Sequence, residues 1–157
     1  MSDGLQQEET YEEMIARSPV LLNRNDATPP AIARALVLSL VEDGQLPAEL
    51  VEAACVAIHA REVSGGCTAL AEGIAIPHGC LDVPRPLVAI AIHAEGVDCG
   101  AIDGQLSRIF ILQLNRQGSR AHVRFLAGVN RRLLRAEVRA AILAARTPEV
   151  VKALLCG

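Results

Sequence analysis

Aromatic side chains are nearly missing from this 157-residue chain: it has no tryptophan, one tyrosine (Tyr11) and two phenylalanines (Phe110, Phe125). A stacking platform for single-stranded nucleic acid needs several rings, so that class is disfavoured. The five cysteines (Cys55, Cys67, Cys80, Cys99, Cys156) are odd in number, widely spaced and without a C-x-x-C pair. That pattern suggests neither a disulfide framework nor a structural zinc site. No apolar run reaches the roughly 18 residues of a membrane span, and the strongest, Leu87 to Ile92, has the length of a strand. The opening MSDGLQQEETYEE is acidic and polar, unlike a secretory signal. The expectation is a soluble cytoplasmic protein with no membrane insertion. Disorder is excluded for the bulk of the chain, because 51% of it is hydrophobic and 21% charged.

Charge is present but unevenly spread. The formal net charge is −3, yet residues 1–104 hold 5 Lys+Arg against 16 Asp+Glu, while residues 105–157 hold 10 against 2. A basic third of this kind suits a polyanion. Without aromatics or a base-reading motif, the expectation is instead solvated helix faces that pair with the acidic half, and no nucleic-acid partner.

The length fits one domain, read as a mobile leader over 1–9 followed by a single unit over 10–157. A short helix is predicted over Thr10–Ala16 and an extended run over Val20–Leu22. Thr28 is placed to cap a helix over Ala31–Glu42, with Pro29 and Pro30 tolerated in its first turn, where amide donors lack partners anyway. Gly44 ends that helix, and Pro47 opens another that runs to about Arg61. Strands are predicted at Ile74–Ile76, Leu87–His93 and Ile109–Leu114. Ser119 is expected to cap a helix whose Val123, Leu126, Val129 and Leu133 recur at helical spacing. Thr147 and Pro148 start the last helix. Helices before, between and after apolar strands imply an α/β sandwich with a largely buried sheet.

One segment carries chemistry: Gly73-Ile74-Ala75-Ile76-Pro77-His78-Gly79. Pro77 fixes its own φ and keeps Ile76 extended, so His78 is expected where a strand meets a turn. Gly79 would let backbone amides approach an anion. A neutral imidazole, with a reference pKa of about 6.5, is a good nucleophile near neutral pH. Arg61 is suited to phosphoryl oxygens in fork geometry and the Thr68 hydroxyl to donating another bond. His122, on the face of Leu126 and Val129, would reach the sheet edge if its helix packs there. These parts suit phosphoryl transfer. His59 and His93 read as structural, the cysteines as small apolar fillers.

Several anchors then follow in order: Arg61-Glu62, the Cys67-Thr68 turn, Gly73 to Gly79, Arg85-Pro86-Leu87-Val88-Ala89, Asp103-Gly104-Gln105, Ile109 to Leu112, Ala121-His122 and Phe125-Leu126-Ala127. In this order and spacing the chain, from about Thr10 to its end, resembles the enzyme IIA domain of the bacterial phosphotransferase system, mannitol/fructose and nitrogen-regulatory branch. The resemblance implies a three-layer sandwich, a mixed sheet flanked by helices on both sides. It implies that His78 accepts a phosphoryl group from the phosphohistidine of the carrier HPr, with His122 supporting that histidine or its phosphoryl group and Arg61 against the phosphate. It implies no metal or organic cofactor, and an enzyme IIB or a regulatory protein as acceptor or target. A free-standing domain of this branch points to a regulatory role of the nitrogen type. Two departures from the family pattern stand out: Gly66-Cys67-Thr68-Ala69-Leu70-Ala71 replaces a more glycine-rich turn, and Arg116, Arg120 and Arg124 stand in a region that tends to be acidic. They motivate the alternative of an interaction protein that keeps the fold without phosphoryl transfer.

Overall fold

The structure, a computed structural model, describes residues 9–65 and 69–157. Its core is organised by β4 (Leu87–Val97), in which Leu87 to Ile92 are all apolar and buried. Successive side chains of a strand point to opposite faces. Leu87, Ala89 and Ala91 therefore enter one apolar cluster, while Val88, Ile90 and Ile92 enter another. A continuous apolar run encodes a strand covered on both faces. β5 (Ser107–Asn115) repeats the pattern, with Phe110, Leu112 and Leu114 on the first face and Ile109 and Ile111 on the second.

β1 (Val20–Arg24) runs parallel to β4, and β4 runs antiparallel to β5. On its other side β5 is flanked by two short parallel segments, β2 (Ile74–Ala75) and β3 (His78–Cys80). These two are one edge strand interrupted at Ile76-Pro77. Pro77 has no amide to donate, but its carbonyl accepts from the Gln113 amide at 3.0 Å, and pairing resumes with His78 opposite Gln113. Proline is tolerated here because the strand lies at the sheet edge. His78 thus begins a second strand segment, where the sequence pointed to a turn.

The first face is covered by α2 (Pro29–Glu42) and α3 (Val51–Gly65). The second is covered by α1 (Tyr11–Arg17), α4 (Ala121–Leu133), α5 (Ala136–Ala144) and α6 (Pro148–Cys156). The result is the expected three-layer sandwich around a mixed sheet. Thr10, Thr28 and Thr147 each cap a helix by accepting from the amide three residues on, at 3.1, 3.2 and 3.3 Å. Pro47 precedes a 3-10 turn at Ala48–Leu50, and α3 continues past Arg61 to Gly65. Ser119 does not occupy the cap position of α4. The helix starts at Ala121 after a helical Arg120, although the Ser119 hydroxyl still accepts from the Ala121 amide at 3.2 Å.

Tyr11, Met14 and Ile15 seat α1 in the second apolar cluster, and Tyr11 fits closely against α4. A Cβ on Gly128 would lie 2.3 Å from Tyr11 Cγ, so only glycine leaves room for the tyrosine. The buried Tyr11 hydroxyl donates to the Leu155 carbonyl at 3.0 Å, and burial pushes the phenol well above its ordinary pKa. Several basic residues of the carboxyl-terminal third pair with the acidic half: Arg131 with Glu12 at 3.9 Å, Arg139 with Glu72 at 3.5 Å and Arg116 with Asp82 at 3.5 Å. Among the described residues no helix is long and apolar enough to cross a membrane.

Candidate functional site

The site forms where α3, the β3 edge and the start of α4 converge. Its geometry begins with Gly79, whose added Cβ would lie 2.9 Å from the backbone of Ala57 and Ile58. With no side chain at Gly79 and a small one at Ala57, the backbone of α3 rests directly on β3. Arg61 follows Ala57 by one helical turn and is carried over His78. The guanidinium Nε donates to His78 Nε2 at 3.0 Å.

His78 is half-buried and is held by its own strand. Its Nδ1 lies 2.9 Å from the Ile76 carbonyl oxygen, which can only accept. Nδ1 therefore carries the proton, and Nε2 presents a lone pair, here used to accept from Arg61. The ring of His122 lies beside it, with centroids 4.8 Å apart and planes inclined by 34°. His122 Nδ1 donates to the side-chain oxygen of Gln113 at 2.5 Å, and Asn115 Nδ2 donates to the same oxygen at 3.0 Å. Burial first, then the neighbouring His78 and Arg61, hold His122 below the ordinary histidine pKa. The site so presents an unprotonated nitrogen, a fixed cation and a neutral second imidazole around a cleft of about 440 Å³ lined by Arg61, His78, Cys80, Asn115, Arg116 and His122. That arrangement suits attack by His78 Nε2 on an electrophile whose other oxygens carry negative charge.

The family model "Phosphoenolpyruvate-dependent sugar phosphotransferase system, EIIA 2" matches residues 30–156. The chain belongs to this EIIA family. It is 33% identical over 90 residues to the fructose-specific EIIA component of Haloferax volcanii, a stretch covering 56% of this chain and 58% of that protein. The chain thus spans less than two thirds of that curated relative. Its fold is similar to that of nitrogen regulatory protein IIA-Ntr from Neisseria meningitidis, with a TM-score of 0.79, 23% identity and coverage of 92% of this chain and 97% of that one. It is also similar to the Escherichia coli mannitol enzyme IIA solved in complex with phosphorylated mannitol enzyme IIB: TM-score 0.73, 25% identity, 88% of this chain and 94% of that one.

Of the residues the sequence singled out in this EIIA chain, Arg61, His78 and His122 come together, from α3, β3 and α4. Thr68 and Cys67 lie outside the described residues. His59 is exposed on α3. His93 is buried at the far end of β4: its Nε2 lies 2.9 Å from the Asp26 carbonyl and its Nδ1 accepts from the Gly96 amide at 2.8 Å, so it pins the irregularity that follows Ile92. Among the described residues no group of three His, Cys, Asp or Glu side chains converges as a metal site would require. Sequence reasoning missed Gln113 and Asn115. Their signal was two amides following the apolar run Ile109 to Leu112, both buried. Around the cleft and its continuation toward Pro84 and Pro86 stand the exposed Arg61, Arg85 and Arg116, with Asp82 opposite Arg116.

Proposed function

We propose that this EIIA domain is a phosphocarrier that takes a phosphoryl group onto His78 Nε2 from the phosphohistidine of an HPr-like carrier protein. The observation that carries the reading is the state of His78. With Nδ1–H held by Ile76, Nε2 attacks without first losing a proton and needs no general base. As the N–P bond to His78 forms, the donor's N–P bond breaks and its electron pair stays on the donor nitrogen. Arg61 gives up its bond to Nε2 and turns its remaining donors to the phosphoryl oxygens, with His122 on the other side. Positioning and charge stabilisation are most of what such a transfer needs. The Thr68 hydroxyl is assigned a further bond to the phosphoryl group on its position in the sequence.

For the onward step, the mannitol neighbour solved with a phosphorylated enzyme IIB favours an EIIB-type acceptor. A second reading is favoured by the arginine rim. A phosphoryl group adds about two negative charges among Arg61, Arg116 and their neighbours, reversing the local field and so switching which regulatory partner docks, as in a nitrogen-regulatory role.

The test is intact-mass measurement after incubation with enzyme I, HPr and phosphoenolpyruvate, beside a His78→Ala control. An acid-labile, base-stable gain of one phosphoryl group, lost in the control, is the expected result. No gain with either a standard HPr or the host's own would overturn the carrier reading and leave the alternative of a fold retained for interaction alone.

A further inference from the structure

Gln113 is a polar residue at a position where the strand pattern places an apolar one. It shares the β5 face of Ile109 and Ile111, which enter the core layer under α4, and it is fully buried. A buried amide costs free energy unless its atoms are bonded. Its Oε1 accepts from His122 Nδ1 at 2.5 Å and from Asn115 Nδ2 at 3.0 Å, while its Nε2 points at Met14 Sδ, a weak acceptor, at 4.0 Å. The Asn115 donor on Oε1 and the Met14 sulfur facing Nε2 set the amide's orientation, with the oxygen toward His122. An imidazole nitrogen facing an acceptor carries the proton, so neutral His122 is the Nδ1–H tautomer. Its Nε2 lone pair is left on the side of the ring away from Gln113, where His122 lines the cleft with His78.

We propose that Gln113 is a positioning residue that holds His122 with its proton on Nδ1, and that phosphorylation of His78 consequently draws one proton from solvent onto His122 Nε2. The inference rests on the phosphocarrier reading and adds to it the residue that controls the second imidazole and the proton that accompanies the phosphoryl group. In the free site the groups facing His122 are Arg61 from α3, His78 from β3 and Arg116 at the mouth of the cleft, with uncharged Gln113 and Asn115 from β5. Burial and the first two disfavour a charge on His122. A phosphoryl group on His78 reverses the sign of the local field. A lone pair facing its oxygens repels them, whereas an added proton turns Nε2 into a charge-assisted donor. In the balanced step the N–P bond forms at His78 Nε2 as the donor's breaks, His78 keeps its Nδ1 proton on Ile76, and the proton gained by His122 comes from solvent.

The experiment is NMR of the histidine ring nitrogens in 15N-labelled protein at neutral pH, before and after chemical phosphorylation with phosphoramidate. The unmodified protein is expected to show His122 protonated at Nδ1 and unprotonated at Nε2. The Gln113→Leu variant should revert to the Nε2–H form. Gln113→Glu should keep Nδ1–H and shift the titration of His122 upward. After phosphorylation, His122 should be protonated on both nitrogens at a pH where the unmodified protein holds it neutral. An Nε2–H tautomer in the wild type, an unchanged tautomer in a Gln113→Leu protein whose amide spectrum shows it folded, or a neutral His122 beside phosphorylated His78 would overturn the proposal. Failure of His78 to take the phosphoryl group would overturn the carrier reading and the proton coupling with it. The tautomer in the unmodified protein would still decide the role of Gln113.

Discussion

Arg61 and His78 lie 17 positions apart in the chain and meet at 3.0 Å, guanidinium Nε to imidazole Nε2. Helix α3 and strand β3 are joined at that point by Gly79, and the contact sets a cation against the nitrogen that the carrier reading assigns as nucleophile.

Removing that cation tests its part in transfer. Arg61→Ala is expected to slow phosphorylation of His78 on the order of 100-fold, the usual cost of losing one donor to developing negative charge. Arg61→Lys should recover only part of the rate, because an ammonium cannot reproduce the planar fork. Time courses by intact mass, with thermal unfolding as a check that both variants fold, give the answer.

The contact also depends on what Gly79 lacks. In Gly79→Ala the new Cβ would sit 2.9 Å from the backbone of Ala57 and Ile58, so α3 must move off β3. Overpacking of this kind costs about 1–3 kcal/mol. Urea unfolding should show that loss, and phosphorylation should slow as Arg61 moves away from His78.

Acid should weaken the fold through His122. Its folded pKa is depressed by burial and by His78 and Arg61, while in the unfolded chain it titrates near about 6.5. Below that value the unfolded state binds more protons than the folded one. Stability from this group is therefore complete above the unfolded pKa and declines as pH falls through the depressed folded value. Urea midpoints measured across this range should fall on acidification, and His122→Leu should flatten the slope. An equally steep slope in the variant would remove His122 as the cause.

A change outside the cleft lining separates stability from chemistry. Gly128→Ala would drive a Cβ to 2.3 Å from Tyr11 Cγ, and a destabilisation of about 1–3 kcal/mol is expected. Tyr11→Phe, which strands the buried carbonyl of Leu155, should cost about 1 kcal/mol. Both are read by denaturant melts, and phosphorylation of the folded fraction should proceed at the wild-type rate.

The parts of the fold legible from sequence were those written over a few residues. The threonine caps at Thr28 and Thr147 bond amides three positions on, whereas Thr10, read from the sequence as the first residue of its helix, is its cap in the structure. The run from Leu87 to Ile92 announces a strand buried on both faces. α5 left little trace: it follows α4 after Leu134 and Arg135, has no side-chain cap, and buries only Val138 and Ile142. β3 was hidden because proline normally ends a ladder, and only the partner strand reveals that the ladder resumes.

The same division runs through the site. The proton on His78 Nδ1 is a local matter, since Ile76 lies two residues away and Pro77 holds the segment extended. Sequence alone therefore determined that His78 follows an apolar extended run closed by Pro77, which leaves the Ile76 carbonyl within reach of its ring. It also supplied Arg61 and His122 as residues to test. The tertiary structure decided that these three meet, and that Gln113 rather than a solvent molecule holds the second imidazole. The reason is that burial of two apolar faces chooses which helix lies on which side of β5. Side chains on different elements, 17 residues apart for Arg61 and His78 and 9 for Gln113 and His122, become neighbours only when that choice has been made.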